Sequence, residues 1–99
     1  MTRPPRILLV DDEVPIQRAV VPLLRSRGYD VDVAGTGGAA LEAVASRPPD
    51  LIVLDLGLPD LEGTDVCRRI RAVSSIPIVV LSARGAESSR IPAMTRPWL

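Results

Sequence analysis

Two short apolar runs that end in acidic residues dominate the pattern of hydrophobic and polar positions along the chain. Residues 6–10 have the sequence Arg-Ile-Leu-Leu-Val and lead into Asp11 and Asp12, and residues 51–54, Leu-Ile-Val-Leu, lead into Asp55. Uninterrupted apolar runs of this length are typical of strands that are buried on both faces of a parallel sheet. We therefore expect both runs to be buried strands that carry acids at their carboxyl ends.

Two further segments have the character of strands. Residues 29–34 alternate between polar and apolar side chains, which predicts a half-exposed strand at an edge of the sheet. Residues 76–81 form another apolar run, which ends at Ser82. After Ser82 the chain contains two prolines and lacks clean periodicity, so at most a turn or two of helix, and no fifth strand, is expected there.

The segments between these strands have apolar residues at helical spacing. A first helix after Pro15 has an apolar face made of Ile16, Ala19, Val20, Leu23 and Leu24. Gly28 is a suitable C-terminal stop, and Pro22, inside the helix, predicts a kink.

Two more helices are predicted at residues 37–47 and 64–73. Thr36 is the expected N-cap of the second helix. The residues expected to face inward are Ala40, Leu41 and Val44 in the second helix and Val66, Cys67, Ile70 and Val73 in the third. The order β-α-β-α-β-α-β with short connections predicts an α/β fold, a parallel sheet that right-handed crossovers wind on both faces.

Composition narrows the possible functions. Ninety-nine residues are enough for one small domain. The twelve cationic residues, all Arg, balance twelve Asp and Glu, so this chain alone is not expected to bind nucleic acid. The absence of His excludes imidazole catalysis and imidazole metal ligands, and the single cysteine favours a reducing compartment. No apolar run approaches the roughly 20 residues that cross a membrane, so a cytoplasmic protein is expected.

Three of the predicted strands end in polar groups: Asp11 and Asp12, Asp55, and Ser82. Parallel strands deliver these groups to one edge of the sheet, where ligands bind in open α/β folds. Crowded carboxylates repel one another unless a cation is present, and an all-oxygen site suits Mg²⁺. A carboxylate beside Mg²⁺ can attack a phosphoryl donor and form an acyl phosphate.

Each of these residues also has a purely structural interpretation. Asp11 and Asp12 could cap the first helix, because Asp is a favoured N-cap. Asp60 and Asp65 are interpreted as ordinary acids of a turn and of a first helical turn. Cys67 lies on an apolar helix face and is assigned to the core. The pair of glycines at residues 37–38 lacks the spacing of a phosphate-binding loop.

Three segments together resemble the receiver domain of bacterial two-component response regulators. They are Val-Asp-Asp-Glu at residues 10–13, Leu-Asp-Leu-Gly-Leu-Pro-Asp-Leu-Glu-Gly at 54–63 and Pro-Ile-Val-Val-Leu-Ser-Ala at 77–83. The resemblance covers residues 6–88. Within it, the turn Leu-Gly-Leu-Pro-Asp at 56–60 and the stretch Leu-Ser-Ala-Arg-Gly at 81–85 look most like the potassium-responsive Kdp branch of the winged-helix regulators. It implies a flavodoxin-like fold with strand order 2-1-3-4 and a phosphoacceptor domain at residues 1–88, followed by an atypical tail at residues 89–99.

The resemblance also implies a role for each site residue. Asp55 is the expected phosphoacceptor, which takes a phosphoryl group from the His of a sensor histidine kinase. Asp11, Asp12, Asp55 and the backbone carbonyl of Gly57 are the expected Mg²⁺ ligands. Ser82 corresponds to the switch hydroxyl. Beyond this self-phosphorylation and its reversal, no enzymatic activity is expected.

The chain departs from the family at its C-terminal end. The family has a Lys-Pro pair after its fifth strand, whereas this chain has no Lys and carries Arg96 before Pro97. Either an internal deletion moved a degenerate form of that motif inward, or the tail is unrelated sequence. In both cases the fourth strand is expected to present an open apolar edge. The chain would then form a homodimer or otherwise self-associate through that edge, or it would be marginally stable.

Two other functions remain open from the sequence. The chain could be a phosphorylation-impaired receiver that acts as a dimerisation or kinase-binding module. It could also be a Mg²⁺-dependent phosphatase with an Asp nucleophile. Such phosphatases usually have a second acid two residues after the nucleophile, where this chain has Gly57.

Overall fold

The computed structural model describes residues 3–55, 57–81 and 97–98. The elements in chain order are β1 (Arg6–Val10), α1 (Val14–Ser26), β2 (Asp30–Ala34), α2 (Gly37–Ser46), β3 (Leu51–Asp55), α3 (Gly63–Val73), β4 (Ile78–Leu81) and β5 (Pro97–Trp98). The four predicted strands and three predicted helices are all present, with bounds within a few residues of those expected. None of the described helices combines the length and the apolar character needed to cross a bilayer.

The sheet has the strand order β2-β1-β3-β4-β5. Strands β1 to β4 are parallel to one another, so the predicted order 2-1-3-4 is confirmed. Parallel neighbours need a long crossover, and α1, α2 and α3 supply one between each pair of successive strands. All four parallel strands therefore end at the same edge of the sheet.

Local sequence signals explain the helix ends. Thr36 accepts a hydrogen bond from the Ala39 backbone N–H at 3.0 Å and caps α2 as predicted. Gly28 follows the C-cap of α1 with a φ of 93°, a left-handed conformation that glycine adopts without strain. The backbone N–H groups of Gly28 and Tyr29 donate to the carbonyls of Arg25 and Leu24, which closes the last turn. Helix α1 continues through Pro22.

The hydrophobic core lies between the sheet and helices α2 and α3. The buried residues of this core are Leu8, Val10, Ala34, Ala40, Val44, Ile52, Leu54, Val66, Cys67, Ile70, Ile78 and Val80. Cys67 is part of this core, as predicted. Leu58 and Leu61, from the segment between β3 and α3, pack against the core as well.

The other face of the sheet is less completely covered. Val53, Val79 and Leu81 are only half-buried, and helix α1 contains no fully buried residue. The prediction that β3 is buried on both faces is therefore wrong for the face that carries Leu51 and Val53. The prediction for Val73 is also wrong, because this last residue of α3 is 80% exposed. Val73 lies at the C-terminal end of α3, beyond the buried residues Val66, Cys67 and Ile70.

The tail contributes a strand that the sequence pattern did not predict. Strand β5 pairs antiparallel with β4, with Ile78 opposite Trp98 and Val79 opposite Pro97. Proline lacks a backbone N–H, so it is tolerated at the outer strand of a sheet. The predicted open edge of β4 is therefore wrong over Ile78 and Val79. The turn or two of helix expected after Ser82 lies outside the described residues.

Candidate functional site

The candidate site lies at the carboxyl ends of β1 and β3, which are parallel neighbours. Their register pairs Val10 with Leu54, so the acids that follow these two residues emerge side by side. Asp11 comes directly after β1, and Asp55 is the last residue of β3. The parallel pairing thus explains why residues so distant along the chain meet at this edge.

The structure brings Asp11, Asp12 and Asp55 together. One carboxylate oxygen from each of the three lies within 4.8 Å of the others. Asp11 is buried, Asp55 is half-buried and Asp12 is exposed, so the cluster extends from the sheet edge to the solvent. Hard divalent cations prefer oxygen ligands of this kind, and the exposed side leaves room for water ligands.

Backbone and side-chain hydrogen bonds hold the Asp11 segment in place. The Asp11 backbone N–H donates to the Ala34 carbonyl at 3.0 Å, and Asp11 Oδ1 accepts from the Glu13 backbone N–H at 2.8 Å. The Gln17 side-chain amide donates to the Asp11 carbonyl at 2.6 Å. This role of Gln17 was not predicted, although a polar residue in the first turn after an acidic loop is a signal for it.

The structural alternative for Asp11 and Asp12 was that they cap α1. The N-cap of α1 is Glu13, and no side chain caps the helix there. Asp11 instead bonds the N–H of that N-cap residue, two positions along the chain. Neither acid is therefore the N-cap of α1, although Asp11 binds the N–H of the residue that is.

Electrostatics at the cluster disfavour ionisation of its buried member. Burial raises the pKa of Asp11 above its ordinary value of 3.8. The hydrogen bond from Glu13 works in the opposite direction, and the negative charges of Asp55, Glu13 and Asp12 add to the upward shift of the pKa. A cation bound among these carboxylates would offset the part of the shift that comes from the neighbouring negative charges.

A backbone N–H two residues after Asp55 contacts its carboxylate. The Gly57 backbone N–H donates to Asp55 Oδ1 at 3.3 Å, which leaves Oδ2 without that constraint. Ser82, the predicted switch hydroxyl, and Arg96 lie outside the described residues.

Asp60 has a role that its interpretation as a turn acid missed. Its Oδ1 accepts the Gly37 backbone N–H at 2.7 Å, and its Oδ2 accepts the Gly38 backbone N–H at 3.0 Å. These two bonds lower the pKa of Asp60 below its ordinary value. The glycine pair that superficially resembled a phosphate loop therefore binds a carboxylate of the same chain. Asp65 is an ordinary acid of the first turn of α3 and bonds Arg68 at 2.8 Å.

Comparison with known proteins agrees with this arrangement. The family model described as "Response regulator receiver domain" matches residues 7–96. The transcriptional regulatory protein KdpE of Mycobacterium tuberculosis is 47% identical over 88 residues, which cover 89% of this chain and 39% of that protein. The DNA-binding response regulator MtrA of Mycolicibacterium paratuberculosis is 48% identical over 79 residues, 80% of this chain and 35% of that protein. The chain thus spans well under half the length of these relatives.

A solved structure gives the same picture of the fold. The response regulator protein TrrA from Thermotoga maritima, in complex with Mg²⁺-BeF, is 34% identical to this chain and has a TM-score of 0.79. The match covers 88% of this chain and 76% of that one. With its strand order, its acidic strand ends and a family match that spans most of its length, the chain belongs to the response regulator receiver domain family and is close to the Kdp type.

Proposed function

We propose that this chain accepts a phosphoryl group on Asp55 from the phosphohistidine of a sensor histidine kinase. The observation that carries the proposal is the gathering of Asp11, Asp12 and Asp55 within 4.8 Å at one edge of a receiver fold. An acid that only terminated a strand would not need two other carboxylates beside it, since their mutual repulsion costs free energy.

We propose Mg²⁺ as the cofactor of this reaction. The carboxylates of Asp11, Asp12 and Asp55 and the backbone carbonyl of Gly57 would hold it, and all of these donors are oxygen atoms. Burial is the main cause of the raised pKa of Asp11, and the negative charges of Asp55, Glu13 and Asp12 add to it; a cation would offset the contribution of these charges. When bound, Mg²⁺ offsets the negative charge on the transferring phosphoryl group.

The residues of the site would have different roles in the reaction. The Gly57 N–H holds Asp55 Oδ1 and orients the carboxylate, so Oδ2 is the oxygen free to attack phosphorus. A bond forms between Asp55 Oδ2 and phosphorus while the bond from phosphorus to the donor imidazole nitrogen breaks. The imidazole keeps the electron pair and takes up a proton from solvent. We propose that the Ser82 hydroxyl then donates to a phosphoryl oxygen as the switch residue.

The same family membership supports a proposal for the setting of the reaction. We propose a cytoplasmic receiver that serves a phosphorelay and, through it, transcription regulation; KdpE is a transcriptional regulatory protein and MtrA is a DNA-binding response regulator, which supports the second part of this proposal. The zero net charge of the chain gives it no electrostatic field of its own for nucleic acid. Residues 1–88 would carry the phosphoacceptor unit, and residues 89–99 would be a tail whose end pairs with β4.

Acetyl phosphate with Mg²⁺ provides the direct test. We expect a hydroxylamine-sensitive phosphoryl adduct, located on Asp55 by mass spectrometry, that disappears when Mg²⁺ is removed. Asp55→Asn should abolish the adduct, whereas the control Asp65→Asn, at an acid that bonds Arg68 on α3, should retain it. Undiminished labelling of Asp55→Asn would contradict the assignment.

Two observations favour a second candidate function, a phosphorylation-impaired receiver that binds a kinase or a second copy of itself. The chain has no Lys, and the planar guanidinium of Arg approaches phosphate differently from the ammonium group of Lys. In addition, the half-buried Val53, Val79 and Leu81 leave apolar area on one sheet face. Kinase binding without labelling of Asp55, together with a dimer in sedimentation velocity, would favour this function over the first.

A further inference from the structure

The segment between β3 and α3 is held by a contact from outside the site. Asp60 lies five residues after Asp55 and three after Gly57. Its carboxylate binds the backbone N–H groups of Gly37 and Gly38, the first two residues of α2, with one oxygen on each. The contact joins parts of the chain that are 23 and 22 residues apart, so it is a tertiary bridge rather than a local turn.

Several features favour these two hydrogen bonds between Asp60 and the start of α2. The N–H groups at the start of a helix have no partners within the helix, and a carboxylate there also gains from the helix dipole. The distances of 2.7 and 3.0 Å fit charge-assisted hydrogen bonds. The Thr36 hydroxyl already serves the next amide, that of Ala39, so Asp60 supplies partners that Thr36 does not.

Close packing beside the bridge requires glycine at residue 37. A Cβ atom at Gly37 would lie 2.9 Å from Leu61 Cβ, from Leu61 Cδ1 and from Val66 Cγ2. The backbone of α2 thus approaches the segment after β3 directly, and only a residue without a side chain permits the approach. The segment is therefore fixed at Asp60 and Leu61 on one side and by β3 at Asp55 on the other.

Gly57 is the residue that this double attachment would position. It lies between the two fixed points, its N–H holds Asp55 Oδ1 at 3.3 Å, and its carbonyl is a proposed Mg²⁺ ligand. A displacement of Asp60 would be transmitted over only three residues to Gly57. Small errors in ligand position are costly, because groups that orient metal ligands typically change metal affinity by about 10-fold or more when lost.

We propose that Asp60 is a positioning residue for the metal and phosphoacceptor site, which holds Gly57 against Asp55 by binding the first two amides of α2. This inference rests on the proposed function, since it concerns the same Mg²⁺ site. Asp60 itself touches neither the phosphoryl group nor the metal in this role. The competing explanation is that Asp60 only caps α2, while Leu58 and Leu61 hold the segment by packing against the core.

The chain offers a matched control for this competing explanation. Asp60→Ala and Thr36→Ala both remove a cap from the same helix end, so both variants should lose stability for the same reason. Only Asp60→Ala also releases the segment that carries Gly57. We expect the dissociation constant for Mg²⁺, measured by isothermal titration calorimetry on the full chain, to rise about 10-fold in Asp60→Ala. In Thr36→Ala it should equal that of the wild type.

A measurement without metal tests the same effect of Asp60 on Gly57. Hydrogen exchange at the Gly57 amide, followed by NMR, should be faster in Asp60→Ala than in the wild type and unchanged in Thr36→Ala. Equal Mg²⁺ affinity, or equal exchange at Gly57, in the two variants would overturn the positioning role. If Asp60→Ala does not fold, Asp60→Asn replaces it, since its single carbonyl oxygen can accept one of the two amides. Wild-type affinity for Mg²⁺ in that variant would also overturn the role.

The outcomes separate this inference from the proposed function. A wild-type chain that neither binds Mg²⁺ nor becomes labelled on Asp55 would defeat the proposed function, and the role of Asp60 with it. A wild-type chain that does both, while Asp60→Ala behaves as Thr36→Ala does, would defeat the role of Asp60 alone.

Discussion

Arg6 and Asp50 exchange hydrogen bonds at the end of the sheet opposite the acidic cluster. The Arg6 backbone N–H donates to Asp50 Oδ2 at 2.7 Å, and the Asp50 backbone N–H donates to the Arg6 carbonyl at 2.7 Å. This exchange holds the start of β1 against the residue that precedes β3. It thereby supports the same register that places Asp11 beside Asp55 at the other end of the two strands.

Replacement of Asp50 tests whether its hydrogen bond with Arg6 stabilises the pairing of β1 with β3. Asp50→Ala removes the carboxylate that accepts the Arg6 N–H, so we expect the free energy of unfolding to fall by about 1 kcal/mol in urea denaturation. Asp32→Ala is the control, because the ion pair of Asp32 with Arg47 is exposed, spans 3.7 Å and should contribute about 0.5 kcal/mol or less. Equal losses in the two variants would contradict a special role of Asp50 in holding β1 against β3.

The acidic cluster should destabilise the metal-free fold at neutral pH. The pKa of Asp11 is raised in the folded chain, so this group favours folding below its unfolded pKa, and that advantage is lost as pH rises through its folded pKa. Asp11→Asn removes the charge and keeps an oxygen for the Glu13 N–H. Without metal, the variant should therefore melt at a higher temperature than the wild type near pH 7, and the difference should vanish in acid.

With Mg²⁺ bound, the wild type should melt at a higher temperature than Asp11→Asn. A ligand that binds only the folded state at 100 times its dissociation constant stabilises it by about 2.7 kcal/mol. We expect calorimetric melting to show a gain of this kind for the wild type and a smaller one for Asp11→Asn. A gain of the same size in both would argue against Asp11 as a metal ligand.

Close packing at Gly37 should make this position intolerant of a side chain. Gly37→Ala places a Cβ atom 2.9 Å from Leu61 and Val66, and such overpacking should cost about 2 kcal/mol in chemical denaturation. Gly35→Ala is the matched control two residues away, since its Cβ would meet no atom within 4 Å. A loss in Gly35→Ala as large as that in Gly37→Ala would show that backbone freedom, rather than packing, is what matters in this segment.

Asp60 should make the fold sensitive to acid. Its pKa is lowered by the amides of Gly38 and Gly37, so its contribution to stability is present above the unfolded value and is lost as pH falls through the folded pKa. Urea midpoints of the wild type between about pH 5 and 2 should fall more steeply than those of Asp60→Asn. Parallel pH profiles for the two proteins would show that the carboxylate is not stabilised in its ionised form.

Much of the fold follows from local patterns in the sequence. The apolar runs that end at Asp11 and Asp55, the edge strand β2, the Thr36 cap and the Gly28 stop all follow from signals within a few residues, and the structure contains each of them. The parallel order follows as well, because short β-α-β connections leave few other arrangements. Together these patterns place the acids of two strands at one edge of the sheet.

Only the tertiary structure decided how far each surface is covered and what lies across from it. Val53 and Val73 have apolar side chains at positions that periodicity assigns to the interior, yet their burial depends on what packs above them. The pairing of β5 with β4 depends on the path of the tail. The bridge from Asp60 to Gly37 and Gly38 forms because α2 and the segment after β3 meet at the sheet edge. Periodicity describes one element at a time, whereas such contacts require the relative positions of two.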